Sequence, residues 1–146
     1  MYDNLVSLFF AQALRLGERP FLWEMINGRY ACQTWREVAA SAGALARGLK
    51  ALGVGHHDRV MLVCENRSAF LISDIAIMAA GGITVPSYTT NTADQHRYIL
   101  ENSGACGVIV STPRLAERVI AALQPASSVK FLITVEPGLS RPPPVK

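Results

Sequence analysis

Few side chains in this sequence could do chemistry, and they are scattered. His56, His57 and Asp58 are consecutive and invite a metal reading. Adjacent histidines in an extended turn point in different directions, however, so the expectation is two solvated imidazoles. His96 stands next to Arg97 on a helix and reads as a surface residue. Glu65, Asp74 and Glu101 cannot be placed together as a carboxylate pair for acid–base work. Cys32, Cys64 and Cys106 contain no C-x-x-C pair, and an odd count argues against a disulfide framework. Cys64 and Cys106 flank apolar runs, where a thiol acts as a small hydrophobe. The Gly-rich phosphate loop with its Lys-Ser/Thr pair is absent, because Gly81-Gly82 follows a helix and not a strand. G-x-G-x-x-G and G-x-S-x-G are absent too.

Binding is a better prospect than catalysis. In open α/β sheets ligands gather outside the carboxyl ends of strands. Here those ends are predicted at 65–68, 87–91, 111–114 and 136–138. The first three run into helices, whose free N–H groups could hold an anion. Ser68, Thr92 and Thr112 are also accounted for as helix caps.

The stretch from Asp58 to Ser111 has to position those loops. Val60–Cys64 is a continuous apolar run rich in β-formers, as a strand covered on both faces should be. Ile83–Pro86, Val108–Val110 and Phe131–Val135 repeat the signal. Equivalent strand positions fall at 60, 84, 108 and 132, the spacing that repeated βα units produce. Between them, Leu71, Ile72, Ile75, Ala76, Met78 and Ala79 make one helix apolar nearly all round, so it is expected to be buried on more than one side. Thr92–Gln95 is a capping box, and Thr112-Pro113 starts another helix.

Upstream, Asn4 caps a helix whose apolar positions are Leu5, Leu8, Phe9, Ala13 and Leu16. Asn27-Gly28 joins two aromatic-containing runs as a hairpin, with Trp23 and Tyr30 expected to pack across it. Thr34–Glu37 is a capping box for a helix with the stripe Val38, Ala42, Leu45, Leu49 and Leu52. The fold expected is α/β: a mainly parallel sheet flanked by helices, over residues 1–135. Residues 136–146 hold Pro137, Pro142, Pro143 and Pro144 and read as a linker.

The chain has 146 residues, 50% hydrophobic and 17% charged, with a net charge of +3. That balance excludes disorder. The basic residues form no run long enough for a nucleic-acid patch, so no nucleic-acid partner is expected. No apolar stretch is long enough to span a bilayer as a helix. The cysteine usage fits a reducing cytosol.

Taken together, Tyr30–Val38, Leu49–Val54, Asp58–Val60, Glu65–Arg67 and Ala80–Pro86 resemble the N-terminal part of adenylate-forming acyl-CoA synthetases. Tyr88–Gln95 and Tyr98–Ser103 are most similar to the long-chain fatty-acid branch. The resemblance runs from about Leu5 to Val135 and matches the first α/β subdomain of that fold.

It implies an ATP-dependent, AMP-forming fatty-acyl-CoA ligase using ATP, CoA and Mg²⁺, with fatty acid as substrate. It also implies partner domains that hold the chemistry. The family's Pro-Lys phosphate loop, adenine motif, ribose-binding Asp and C-terminal Lys have no counterparts here, so no catalytic or metal-binding residue carries over. One contact does match in residue type: Arg114, for a CoA phosphate.

The expectation is therefore an N-terminal fragment, inactive alone, of a cytoplasmic or membrane-peripheral ligase. Self-association is expected too, through apolar surface on Ala69–Ala80 and one sheet face. The alternative is a stand-alone flavodoxin-like interaction module without catalysis.

Overall fold

The computed structural model describes residues 3–138; the linker expectation for 139–146 lies outside the described residues. A helix α1 (Leu5–Leu16) leads into a hairpin, β1 (Pro20–Ile26) and β2 (Arg29–Thr34), and then α2 (Trp35–Ala51). Three βα steps and a last strand follow: β3 (Arg59–Val63), α3 (Ser68–Ala80), β4 (Ile83–Pro86), α4 (Ala93–Ser103), β5 (Gly107–Val110), α5 (Pro113–Ala122) and β6 (Phe131–Thr134). The larger sheet has the order β4-β3-β5-β6, and all its pairings are parallel, as expected.

The local signals behave as their chemistry requires. Thr34 accepts from the Glu37 amide while Glu37 returns to the Thr34 amide, and Thr92 and Gln95 do the same. Asn4 caps α1, and Thr112 caps α5 with Pro113 at its first turn. Asn27 and Gly28 both take positive φ, +50° and +76°, as a two-residue hairpin turn matching the strand twist demands. Gly81 ends α3 in the left-handed region.

Three expectations need correction. Ser68 does not cap α3: Arg67 occupies the cap position without a side-chain cap bond, and the Ser68 amide donates to the Glu24 carboxylate 3.3 Å away. A carboxylate at a helix N-terminus is favourable wherever in the chain it comes from. Leu52 ends the α2 stripe exposed, and Ala46 lies on the buried line with Val38, Ala42 and Leu49. In the hairpin, Trp23 faces Cys32 and Tyr30 faces Met25, so the two rings are diagonal neighbours, both largely exposed.

The strand spacing also hides a change of face. Val60 pairs with Thr84, and Val108 with Leu132, but Val60 pairs with Gly107. This odd offset sends positions 60 and 108 to opposite faces, because side chains alternate along a strand. Val60 and Leu62 pack with α2 and α3, while Met61, Val63, Val108 and Val110 pack with α4 and α5. The sheet is thus doubly covered, and the strand order reverses about β3.

A third cluster holds α1 and the base of the hairpin on the outside of α2 and α3. Its members include Phe9, Val38, Ala42 and Ile75, with Phe21 stacked on Trp35 at 3.6 Å. As a result α3 is covered and none of its residues is exposed. The apolar surface expected on Ala69–Ala80 is not there; four of the exposed large apolar side chains lie on the hairpin: Trp23, Met25, Ile26 and Tyr30.

Candidate functional site

Because β3, β4, β5 and β6 run parallel, the loops at 65–67, 87–91, 111–112 and 135–138 share one edge of the sheet. Between the ends of β3 and β4 lies a cleft of about 460 Å³, lined by Cys64, Glu65, Asn66, Phe70 and Pro86–Thr89. On the other side of β3, where the strand order reverses, the crevice is bridged by a hydrogen bond from Ser111 Oγ to Glu65 Oε2.

Three charged groups at this edge, Arg67, Glu24 and Glu136, are committed to one another. Arg67 meets Glu24 of the hairpin at 3.4 Å and Glu136, beyond β6, at 2.5 Å. The Glu136 hydrogen bond holds the Arg67 guanidinium even more firmly in its charged form. One arginine thus ties the hairpin and the end of β6 to the start of α3. The Glu136 amide also donates to the Ser111 carbonyl at 3.0 Å, so residue 136 is tied into the fold.

Beneath the cleft's rim the structure departs from expectation. His96 is fully buried, not on the surface. Its Nδ1 stands 3.0 Å from Ser87 Oγ, which also accepts from Asn91 Nδ2 at 3.1 Å. Arg118 of α5 donates to the Thr89 and Asn91 carbonyls at 2.7 and 3.2 Å. His96 and Arg118 thereby pin the loop that forms one wall of the cleft.

A serine 3.0 Å from an imidazole has the outline of a nucleophile and its base. Such a pair works only if the far ring nitrogen is oriented by a third group that steadies the imidazolium. His96 Nε2 has no hydrogen-bond partner among the described residues. Burial, and then the nearby Arg118 charge, push its pKa down, which disfavours the cation that catalysis would need. The pair positions the loop. Burial likewise pushes the Cys64 thiol up, so it lines the cleft as a hydrophobe and not as a thiolate.

The histidine turn is also structural. His56 and His57 stand edge to face, 3.9 Å between ring centroids, and the Asp58 carboxylate accepts from the Gly55 amide at 2.9 Å. Arg114 is exposed in the first turn of α5 and is not among the residues lining the cleft. Sequence reasoning missed Glu24, Arg118, Glu136 and the burial of His96. Their roles come from contacts between residues 27 to 69 positions apart, or from a burial that the polar neighbours Asp94, Gln95 and Arg97 disguise.

Against known proteins, the chain is 33% identical over 118 residues to the long-chain-fatty-acid–CoA ligase FadD15 of Mycobacterium tuberculosis. The match covers 81% of this chain and 20% of FadD15. A second M. tuberculosis protein, Rv1549, is 32% identical over 108 residues, covering 74% of this chain and 61% of its own length. In fold, the chain is similar to the N-terminal domain of FACL13 from M. tuberculosis, with a TM-score of 0.80 at 24% identity. That likeness covers 90% of this chain and 34% of the other. The chain thus spans about a fifth of the length of FadD15. The profile described as AMP-binding enzyme matches residues 9–143, and the chain belongs to that family.

Proposed function

We propose that this chain serves as the N-terminal α/β portion of a fatty-acyl-CoA ligase that forms an acyl-adenylate from fatty acid and ATP. Pyrophosphate leaves in that step, and CoA thiol then displaces AMP to give acyl-CoA. The observation that carries the reading is the 33% identity to FadD15 over 118 residues. We assign the α/β portion to residues 1–136, one residue beyond the boundary expected from sequence because Glu136 is tied to Ser111 and Arg67, and 137–146 to a linker toward the remaining domains, in the cytoplasm or at a membrane surface.

The residues present decide which groups fit. Among the described residues no three His, Cys, Asp or Glu side chains converge to hold Mg²⁺. The sequence also has no phosphate loop to cradle ATP. No step through ATP or Mg²⁺ is therefore assigned to this chain. CoA fits in one respect: Arg114 places an exposed guanidinium at a helix start, where cation and backbone N–H groups can meet a phosphate together.

The chain's own contribution is to hold the carboxyl edge of the sheet in one shape. Arg67 and the Glu65–Ser111 bond fasten the strand ends, and His96 and Arg118 fasten the 87–91 loop. The test is a chimaera in which this chain replaces the matching segment of FadD15. Ligase activity is expected to survive, and Arg114→Ala in the chimaera should raise the KM for CoA about three- to tenfold, one phosphate contact's share, with the fatty-acid KM unchanged. A soluble, folded chimaera without activity would contradict the assignment; an unchanged CoA KM would remove Arg114 alone.

A further inference from the structure

We infer that the tip of the β1–β2 hairpin is a membrane-docking element that inserts shallowly into an anionic lipid surface. From Met25 to Ala31 every residue is exposed, on both faces of the ribbon. Trp23, Met25, Ile26 and Tyr30 are 60%, 54%, 52% and 70% exposed. The base of the hairpin, by contrast, is anchored: Phe21 and Leu22 pack into the α1–α2–α3 cluster, and Glu24 holds Arg67 and the Ser68 amide.

The shape separates the candidate occupants. Met25 and Ile26 point to opposite faces because strand side chains alternate, so a flat protein partner would cover one and leave the other wet. A lipid interface surrounds both. Tryptophan and tyrosine favour that interface, where an apolar ring and a polar tip are both satisfied.

The charge points the same way. Between Met25 and Thr34 the only charged side chain is Arg29, and the nearest carboxylate, Glu24, is turned inward to Arg67. A cation with no acid at the tip complements anionic headgroups. A symmetric contact between two tips would instead bring Arg29 toward its own copy with nothing to neutralise it.

Depth is limited by the backbone. A two-stranded ribbon leaves unpaired N–H and C=O groups along both edges, which hydrocarbon does not tolerate. Insertion therefore stops among the headgroups. The inference does not depend on the ligase reading.

The test uses the full chain with phosphatidylcholine vesicles, with and without phosphatidylglycerol, followed by co-sedimentation and tryptophan emission. The expected result is co-sedimentation with the anionic vesicles, weakened by salt, with a blue shift that Trp23→Phe abolishes. Ile26→Asp should weaken binding tenfold or more. Arg29→Gln should weaken it about fivefold on anionic vesicles only, one basic residue's share at a charged surface. Failure to co-sediment, or binding that Ile26→Asp leaves intact, would overturn the inference. So would a Trp23 shift that follows protein concentration without lipid, which would assign the tip to a second copy.

Discussion

Replacing Gly107 with alanine is expected to destabilise the chain by about 1–3 kcal/mol, the range for forcing a group into a filled core. Gly107 pairs directly with Phe131, and a Cβ there would stand 2.1 to 2.5 Å from three carbons of the phenyl ring. The ring lies on the α2–α3 face with the first core cluster. An alanine methyl would have to push it out of that cluster. The sign of a second substitution makes the argument specific. In a Phe131→Ala background the obstruction is gone, and Gly107→Ala should become neutral or stabilising by up to about 0.5–1 kcal/mol, since glycine is entropically unfavourable in a strand. A thermal or urea double-mutant cycle measures this. Equal costs in both backgrounds would mean that the ring is not the cause.

The second large effect is a dependence on acid. Burial and Arg118 lower the His96 pKa below its ordinary value of 6.5, while the unfolded chain keeps that ordinary value. The unfolded state therefore binds more protons below pH 6.5, and stability falls as pH falls through that range. The groups on the imidazole are Ser87 Oγ from the loop and Arg118 from α5, and neither supplies a compensating negative charge. The loss should begin as pH drops below about 6.5 and continue until pH passes the lowered folded pKa, with a slope no steeper than about 1.4 kcal/mol per pH unit, the limit for one proton. His96→Leu should flatten that slope whatever it does to stability at pH 7. A slope unchanged by the substitution would place the sensitivity elsewhere. Because His96 holds one wall of the cleft, acid should loosen the 87–91 loop first.

Where a signal was confined to a few neighbouring residues, the sequence could be read directly. The Thr34–Glu37 and Thr92–Gln95 boxes, the Asn27-Gly28 turn and the Gly81 stop each depend on groups within four residues of one another, and each stands where its chemistry put it. The apolar strands were legible because a doubly covered strand can tolerate little else at Val60–Val63. What failed was long-range. Ser68 looked like a cap until Glu24, 44 positions away, was seen to serve the Ser68 amide. His96 looked solvated because α4 is polar on its outer side, and only the packing of α5 shows which side that is.

The candidate site was legible as a place more than as a set of side chains. The loops 87–91 and 111–114 were expected at the strand ends, and parallel pairing brings them to one edge. The fastening there, Glu65 to Ser111 and Arg67 to Glu24 and Glu136, joins residues 43 to 69 positions apart. No spacing rule reaches that far. The even interval of 24 in the sequence likewise said nothing about the one-residue slip between β3 and β5 that divides the core between two faces.

On the proposed reading, this chain shapes a ligase whose chemistry lies in other segments. The most direct measurement is acyl-adenylate and pyrophosphate formation by the purified 146-residue chain with ATP, Mg²⁺ and a long-chain fatty acid. Product no higher than a blank without protein is expected. Sustained turnover that scales with the amount of folded chain would contradict it.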